Sequence, residues 1–298
     1  MSIDVLLPAA LAFIMFSVGL ALQAGDFRKV FVQPRALLIG LVGQLVVVPL
    51  AALGVVFAFD LAPTLGVGLL VLSACPGGAS SGFLTHLARA NAALSLTLTV
   101  ISSLAALVTF PLLVKLALAW PGAGVLGAGG MQLAALPVGN LIGSVLGVTT
   151  LPILAGMLLR RKAARFTARA EPLIGRMATL FFAAIVVATF VSHQHTILAN
   201  LLSVGPATLV LNFAVMGIAY GLVVVVAGAA RRDAVAVAME CGLQNAGLAI
   251  FVAIVLLRQP ELAVAGVVYA LTMNFGALGL VFMARRRAPV GALAHHCR

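Results

Sequence analysis

Long apolar runs separated by short polar gaps dominate the chain. Crossing a hydrocarbon core of ~30 Å takes roughly 20 such residues in a helix. Nine runs meet that length, at about 5–22, 36–58, 63–85, 92–118, 132–159, 172–192, 199–228, 233–257 and 262–283. Several exceed a straight crossing, which predicts tilt or irregular ends. The pattern is that of an all-α polytopic membrane protein, a single domain over residues 1–298 with nine transmembrane helices. The first run carries Asp4 and no basic leader, so it reads as a retained span and not a cleaved signal. The stretch PGAGVLGAGG after Trp120 reads as a flexible loop, not a domain linker.

Two of the runs contain their own interruptions. Pro76, Gly77 and Gly78 break the third, within SACPGGASSGF, and glycines loosen the eighth around ECGLQNAGLA, where Glu240 stands. Glu240 is the one acid that falls in the interior of a span, Asp233 standing at the very edge of the same run. Asp4, Asp26, Asp60, Glu171, Asp233 and Glu261 fall at the N-terminus or in the gaps, where water is expected to reach them. An ionisable group at bilayer depth costs roughly 2.5 to 3.5 kcal/mol on insertion scales and marks a functional position. Paired interrupted helices are the best sequence pointer to a transporter's binding site. Each break frees carbonyls and amides that lipid cannot satisfy, so breaks line cavities. The carbonyls of Cys241 and Leu243, the Glu240 carboxylate and the Gln244 amide oxygen form an all-oxygen set suited to a hard cation. The half-helix starting near Gln244 and Asn245 presents free N–H groups suited to an anion, as does one starting after Gly78, with Ser80 or Ser81 expected to cap it.

With nine spans the loops alternate sides, and the basic residues sort accordingly. Arg28, Lys29, Arg35, Arg89, Arg160, Arg161, Lys162, Arg165, Arg169, Arg176, Arg231, Arg232, Arg285, Arg286, Arg287 and Arg298 share one side; the other has only Lys115 and Arg258. Sixteen against two places the N-terminus outside and the C-terminus in the cytoplasm. The third and eighth spans then run antiparallel. Gln44 precedes the first break by about as many residues as Asn212 precedes the second, the pattern of an inverted repeat relating spans one to four with six to nine. The fifth span is left without a partner, and the first repeat lacks a leading helix.

Composition narrows the class further. At 63% hydrophobic and 8% charged, the chain is an integral membrane protein, and its net charge of +11 sits in connecting loops and the tail, so nucleic acid is excluded as a partner. Cys75, Cys241 and Cys297 have no metal-ligand spacing, and the first two read as packing residues. Ser95 and Thr99 lie four apart on one helix face; such hydroxyls usually bond the carbonyl four residues back, and they gain weight from their company. Gln44, with Pro49 in the same span, is open to the same double reading, as helix–helix glue or as part of a site. His86 reads as interfacial, while His193, His195, His295 and His296 fall in a loop and the tail. No HExxH and no serine with a plausible histidine base appear, so the chain does not read as an enzyme.

These blocks resemble the bile acid:sodium symporter family, specifically bacterial members related to the apical sodium-dependent bile acid transporter. The matching stretches are IMFSVGLAL (14–22) with GDF (25–27), Gln44 with Pro49, CPGGASSG with LTHLARANAALS (75–95), and ECGLQNAGLA. The resemblance implies a core of two crossing broken helices, about 36–118 and 199–283, and a panel that rocks against it, about 5–22 and 132–192. It implies one sodium site at Ser81, Ser95, Thr99 and Glu240 and a second at Gln44, Glu240, Gln244 and the carbonyls of Cys241 and Leu243. It implies substrate contacts at Ala79, Ser80, Ser81, Asn245 and Asn274. Family members often carry asparagine where this chain has Gly82, so one amide oxygen of the first site is missing. The function implied is sodium-driven symport of organic anions, bile-acid-like or small carboxylates such as pantoate, across the inner (plasma) membrane. Sodium is the co-transported ion; no organic cofactor and no obligate protein partner are implied. Two other readings stay open: a proton-coupled or uncoupled carrier on the same fold, and a membrane sensor that binds ligand without moving it.

Overall fold

The computed structural model describes residues 3–22, 25, 34–119 and 138–286, and the structural statements below concern these residues. The readings on Asp26, Phe27, Arg28, Lys29, the loop from Trp120 to Gly130, the start of the 132–159 span, and the tail with Arg287, His295, His296, Cys297 and Arg298 lie outside them.

Every described element is a helix. In chain order they are α1 (Ile3–Ala21), α2 (Pro34–Ala58), α3 (Pro63–Ser73), α4 (Ser80–Leu87), α5 (Ala92–Leu118), α6 (Val138–Lys162), α7 (Ala164–Ser192), α8 (Gln194–Val225), α9 (Arg231–Gly242), α10 (Ala246–Leu256) and α11 (Ala263–Arg286). Six helices are long and apolar enough to cross a membrane: α2, α5, α6, α7, α8 and, with the short turn Pro260–Leu262 ahead of it, α11. The third and eighth apolar runs are each divided, into α3 with α4 and α9 with α10.

Hydropathy marks membrane depth, not helix ends, and two predicted loops are corrected by that difference. The basic stretch 160–176 is helical apart from a turn at Ala163, across which Arg160 pairs with Glu171 at 2.6 Å. At the other end of α7, His193 alone separates it from α8, so His195 belongs to a helix. With 29 residues at 1.5 Å each, α7 is about 44 Å long and outruns the hydrocarbon core.

The backbone widens to a π turn at Gly43–Val47 within α2 and at Leu146–Thr150 within α6. Each turn lies just ahead of a proline, Pro49 and Pro152, whose ring and missing N–H displace the backbone four residues earlier. Gln44 therefore projects from an irregular turn.

α1 packs chiefly on α6 and α7. The approach is close because Gly19 and Gly156 face backbone: a Cβ at Gly19 would strike the Ile153 carbonyl, and one at Gly156 the Phe16 carbonyl. The remaining helices gather around α9 and α10, which are buried without interruption from Asp233 to Ile254. Asp233 is thus not in water, as its place in a polar gap implied. It is 6% exposed and accepts a 2.7 Å hydrogen bond from Asn91 Nδ2, because the start of α5 lies over the start of α9.

Candidate functional site

The two breaks cross. The segment from Ala74 to Ala79 lies against Leu243 to Asn245 as an antiparallel bridge between Gly77 and Gln244, in which Gly78 N–H donates to Leu243 O and Asn245 N–H donates to Pro76 O at 3.0 Å. Pro76 cannot continue α3. The glycines permit the contact: a Cβ at Gly78 would fall 2.8 Å from Gln244 O, and one at Gly77 would overlap the Glu240 carboxylate. Each break satisfies part of the other's freed backbone, as lipid requires.

Glu240, on the last turn of α9, is fully buried beside this crossing. Ser81 Oγ from α4 and Ser95 Oγ from α5 donate to its Oε2 at 2.6 and 3.0 Å, and Thr99 Oγ1 from α5 donates to Oε1 at 2.7 Å. The four residues implied as the first sodium site are therefore brought together from three helices. Thr99 Oγ1 also lies 3.1 Å from Ser95 O, the carbonyl four residues back, the local bond expected of such a hydroxyl. Among the described residues no ion pair joins Glu240 to a basic side chain. A buried carboxylate costs several kcal/mol even after relaxation, and three hydroxyl donors lower that cost without cancelling the charge. The site offers five oxygens around one negative charge, which is chemistry for a small hard cation.

Part of the second implied set is joined by hydrogen bonds, which do not include Glu240. Gln44 Nε2 donates to Gln244 Oε1 and to Cys75 O, both at 2.9 Å, and Gln244 Nε2 donates to Cys241 O at 2.7 Å and to Gln44 Oε1 at 3.3 Å. Leu243 O is held by the bridge to Gly78. Cys75 and Cys241 are free and buried, in keeping with packing roles.

The implied substrate residues are less united. Ser80 and Ser81 do not cap α4, as had been expected of one of them; Ala79 occupies that position without a side-chain bond, and Ser81 Oγ turns back to Gly78 O and Glu240. Ser80 is half-buried and makes no hydrogen bond among the described residues. Asn245 caps α10, its Oδ1 accepting from Leu248 N–H at 3.0 Å, while its Nδ2 reaches Met15 Sδ of α1 at 3.5 Å. Asn274 donates to Ala270 O on its own helix, and no hydrogen bond joins it to the cluster. Gly82 faces Leu96: a Cβ there would meet Leu96 Cδ2 at 2.5 Å, so leucine fills the space that a larger residue 82 would take.

Two further residues touch the crossing. Asn212 Nδ2 and Tyr269 Oη donate to Gly242 O at 2.8 and 2.9 Å. Asn212 stands thirty residues before the carbonyl it holds, as Gln44 stands thirty-one before Cys75, the spacing that the sequence reading singled out in these two amides. Tyr269 carried one faint signal, being one of only two tyrosines in the chain.

The sequence profile of the Sodium Bile acid symporter family matches residues 8–200. An uncharacterized sodium-dependent transporter of Bacillus subtilis (strain 168) is 33% identical over 244 residues, covering 80% of this chain and 70% of that protein. A probable chloroplastic sodium/metabolite cotransporter of Oryza sativa subsp. japonica is 29% identical over 285 residues, covering 95% of this chain and 64% of that protein. Another from Arabidopsis thaliana is 29% identical over 284 residues, covering 92% and 65%. The chain thus spans slightly less than two thirds of these plant relatives.

Proposed function

The chain belongs to the sodium bile acid symporter family, and from that premise we propose that it is a sodium-coupled symporter of organic anions working by alternating access. The observation that carries this reading is Glu240, buried without a basic partner where two broken helices cross, and ringed by the hydroxyls of Ser81, Ser95 and Thr99. Sodium held there supplies the missing positive charge. In the proposed cycle the first ion binds Ser81, Ser95, Thr99 and Glu240, and the second binds Gln44, Gln244, Glu240 and the carbonyls of Cys241 and Leu243. Without cations a bare carboxylate would have to cross at membrane depth, which disfavours movement of the empty core.

The six long helices, α1 and the two divided pairs make nine crossings in this reading. An inverted repeat is supported by the parallel bonds of Gln44 and Asn212 to the two breaks. A panel of about 5–22 and 132–192 moving against a core of about 36–118 and 199–283 is supported by the packing of α1 on α6 and α7. The substrate is placed at the start of α4, near Ala79 to Ser81, with Asn245 and Asn274 on its flank. Helix N-termini take carboxylates whatever the rest of the molecule. The relatives are described as sodium/metabolite cotransporters, and both bile-acid-like anions and small carboxylates such as pantoate stay within the proposed substrate class. The orientation is N-terminus outside and C-terminus cytoplasmic, in a plasma membrane.

A thermal-shift screen of organic anions at fixed pH, with sodium or with choline, tests the reading, because a ligand stabilises by RT ln(1 + [L]/Kd). The expected result is an anion that stabilises strongly only with sodium and then shows counterflow in proteoliposomes. Stabilisation that follows pH and ignores sodium would support proton coupling. Binding without counterflow would support a sensor.

A further inference from the structure

In an unbroken helix the carbonyls of Cys241, Gly242 and Leu243 would accept from the N–H groups of residues 245, 246 and 247. The break removes these partners: Asn245 N–H goes to Pro76 O and Ala246 N–H to Gln244 O. The three carbonyls are then separated. Cys241 O is met by the Gln244 amide and Leu243 O by Gly78, both at the crossing, whereas Gly242 O is met by Asn212 of α8 and Tyr269 of α11. Both of these side chains are fully buried. Asn212 leaves its Oδ1 without a partner among the described residues, facing Gly276, where a Cβ would strike it. An orphaned buried acceptor costs stability, and an apolar residue of the same size would avoid that cost. What the amide contributes in return is its bond to Gly242 O.

We infer that Asn212 and Tyr269 are positioning residues that hold the Gly242 carbonyl and thereby aim the carbonyls of Cys241 and Leu243 at the second sodium site. The inference rests on the sodium site proposed above. Alternate peptide planes in a non-helical turn are linked, so releasing Gly242 O frees the turn to rotate either neighbouring carbonyl away from the cation. Neither side chain touches the ion; their effect is on its affinity.

The test is sodium titration of thermal stability on the purified full chain, with choline chloride keeping ionic strength constant, for Tyr269→Phe and Asn212→Leu. The control is Thr272→Val, which removes the 3.1 Å bond from Thr272 to Thr208 between the same two helices but leaves Gly242 untouched. Tyr269→Phe and Asn212→Leu should each raise the half-saturating sodium concentration roughly five- to tenfold, the equilibrium worth of one hydrogen bond. Thr272→Val should lower the sodium-free midpoint and leave half-saturation unchanged. If Asn212→Leu does not fold, Tyr269→Phe carries the test alone, since it removes only a hydroxyl. Variants that lower the midpoint but keep wild-type sodium dependence would overturn this inference and leave the proposed function standing. A wild-type protein indifferent to sodium would overturn both.

Discussion

Glu240 can be separated from its surroundings by exchanges that keep shape. Glu240→Gln retains size and hydrogen-bonding capacity but removes the charge that offsets a cation. Losing a charged hydrogen-bond partner is worth about 1.5 to 3 kcal/mol, so sodium-driven uptake should fall by roughly ten- to a hundredfold while the protein still inserts. Uptake near wild type with intact sodium dependence would remove Glu240 from the mechanism. Thr99→Val leaves Oε1 of Glu240 without its hydroxyl donor and should raise the sodium concentration for half-activation about five- to tenfold; an unchanged value would mean that Thr99 serves only its own helix. Gly82 behaves differently from a simple missing ligand, because Leu96 fills the space beside it. Gly82→Asn alone should overpack the site by about 1 to 3 kcal/mol, read as a lower thermal midpoint. Combined with Leu96→Ala it should tighten sodium activation, and a stable double variant with unchanged activation would show that residue 82 does not reach the ion.

At the scale of elements, the crossing of the two breaks depends on glycines more than on the polar residues it displays. Gly77→Ala places a methyl group on the Glu240 carboxylate and should exceed the usual overpacking cost of about 1 to 3 kcal/mol, seen as loss of monodisperse protein on size-exclusion chromatography. Gly54→Ala in α2 meets nothing within 4 Å and should be neutral or stabilising by up to about 1 kcal/mol. Equal tolerance of both would contradict the crossing. Much of this was legible in the chain. Pro76 with two glycines announces a break, and Glu240, Gln44, Ser81, Ser95 and Thr99 stand out as polar side chains within apolar runs. What stayed hidden depends on tertiary packing. The task of Tyr269 exists only because the Gly242 carbonyl is freed by the break. Asp233 lies at the edge of an apolar run, where sequence cannot show that Asn91 and the start of α5 cover it. The helix over the basic stretch 164–171 was missed because apolar periodicity stops at the membrane surface while backbone hydrogen bonding continues.

For the whole molecule, the direction proposed from the charge partition can be read by cysteine labelling. In a Cys297→Ser background, Arg165→Cys on the exposed start of α7 should resist an impermeant thiol reagent in intact cells and react in inverted vesicles, with Cys75 and Cys241 silent in their buried positions. Ready labelling in intact cells would reverse the topology. The central claim, that a single carboxylate at the crossing binds the driving ion, is tested most directly by binding of radioactive sodium to the purified protein at fixed pH. Saturable binding to the wild-type chain that is lost in Glu240→Gln, with both proteins folded by size-exclusion, is the predicted result. Equal sodium binding by Glu240→Gln, or none by the wild type, would contradict it.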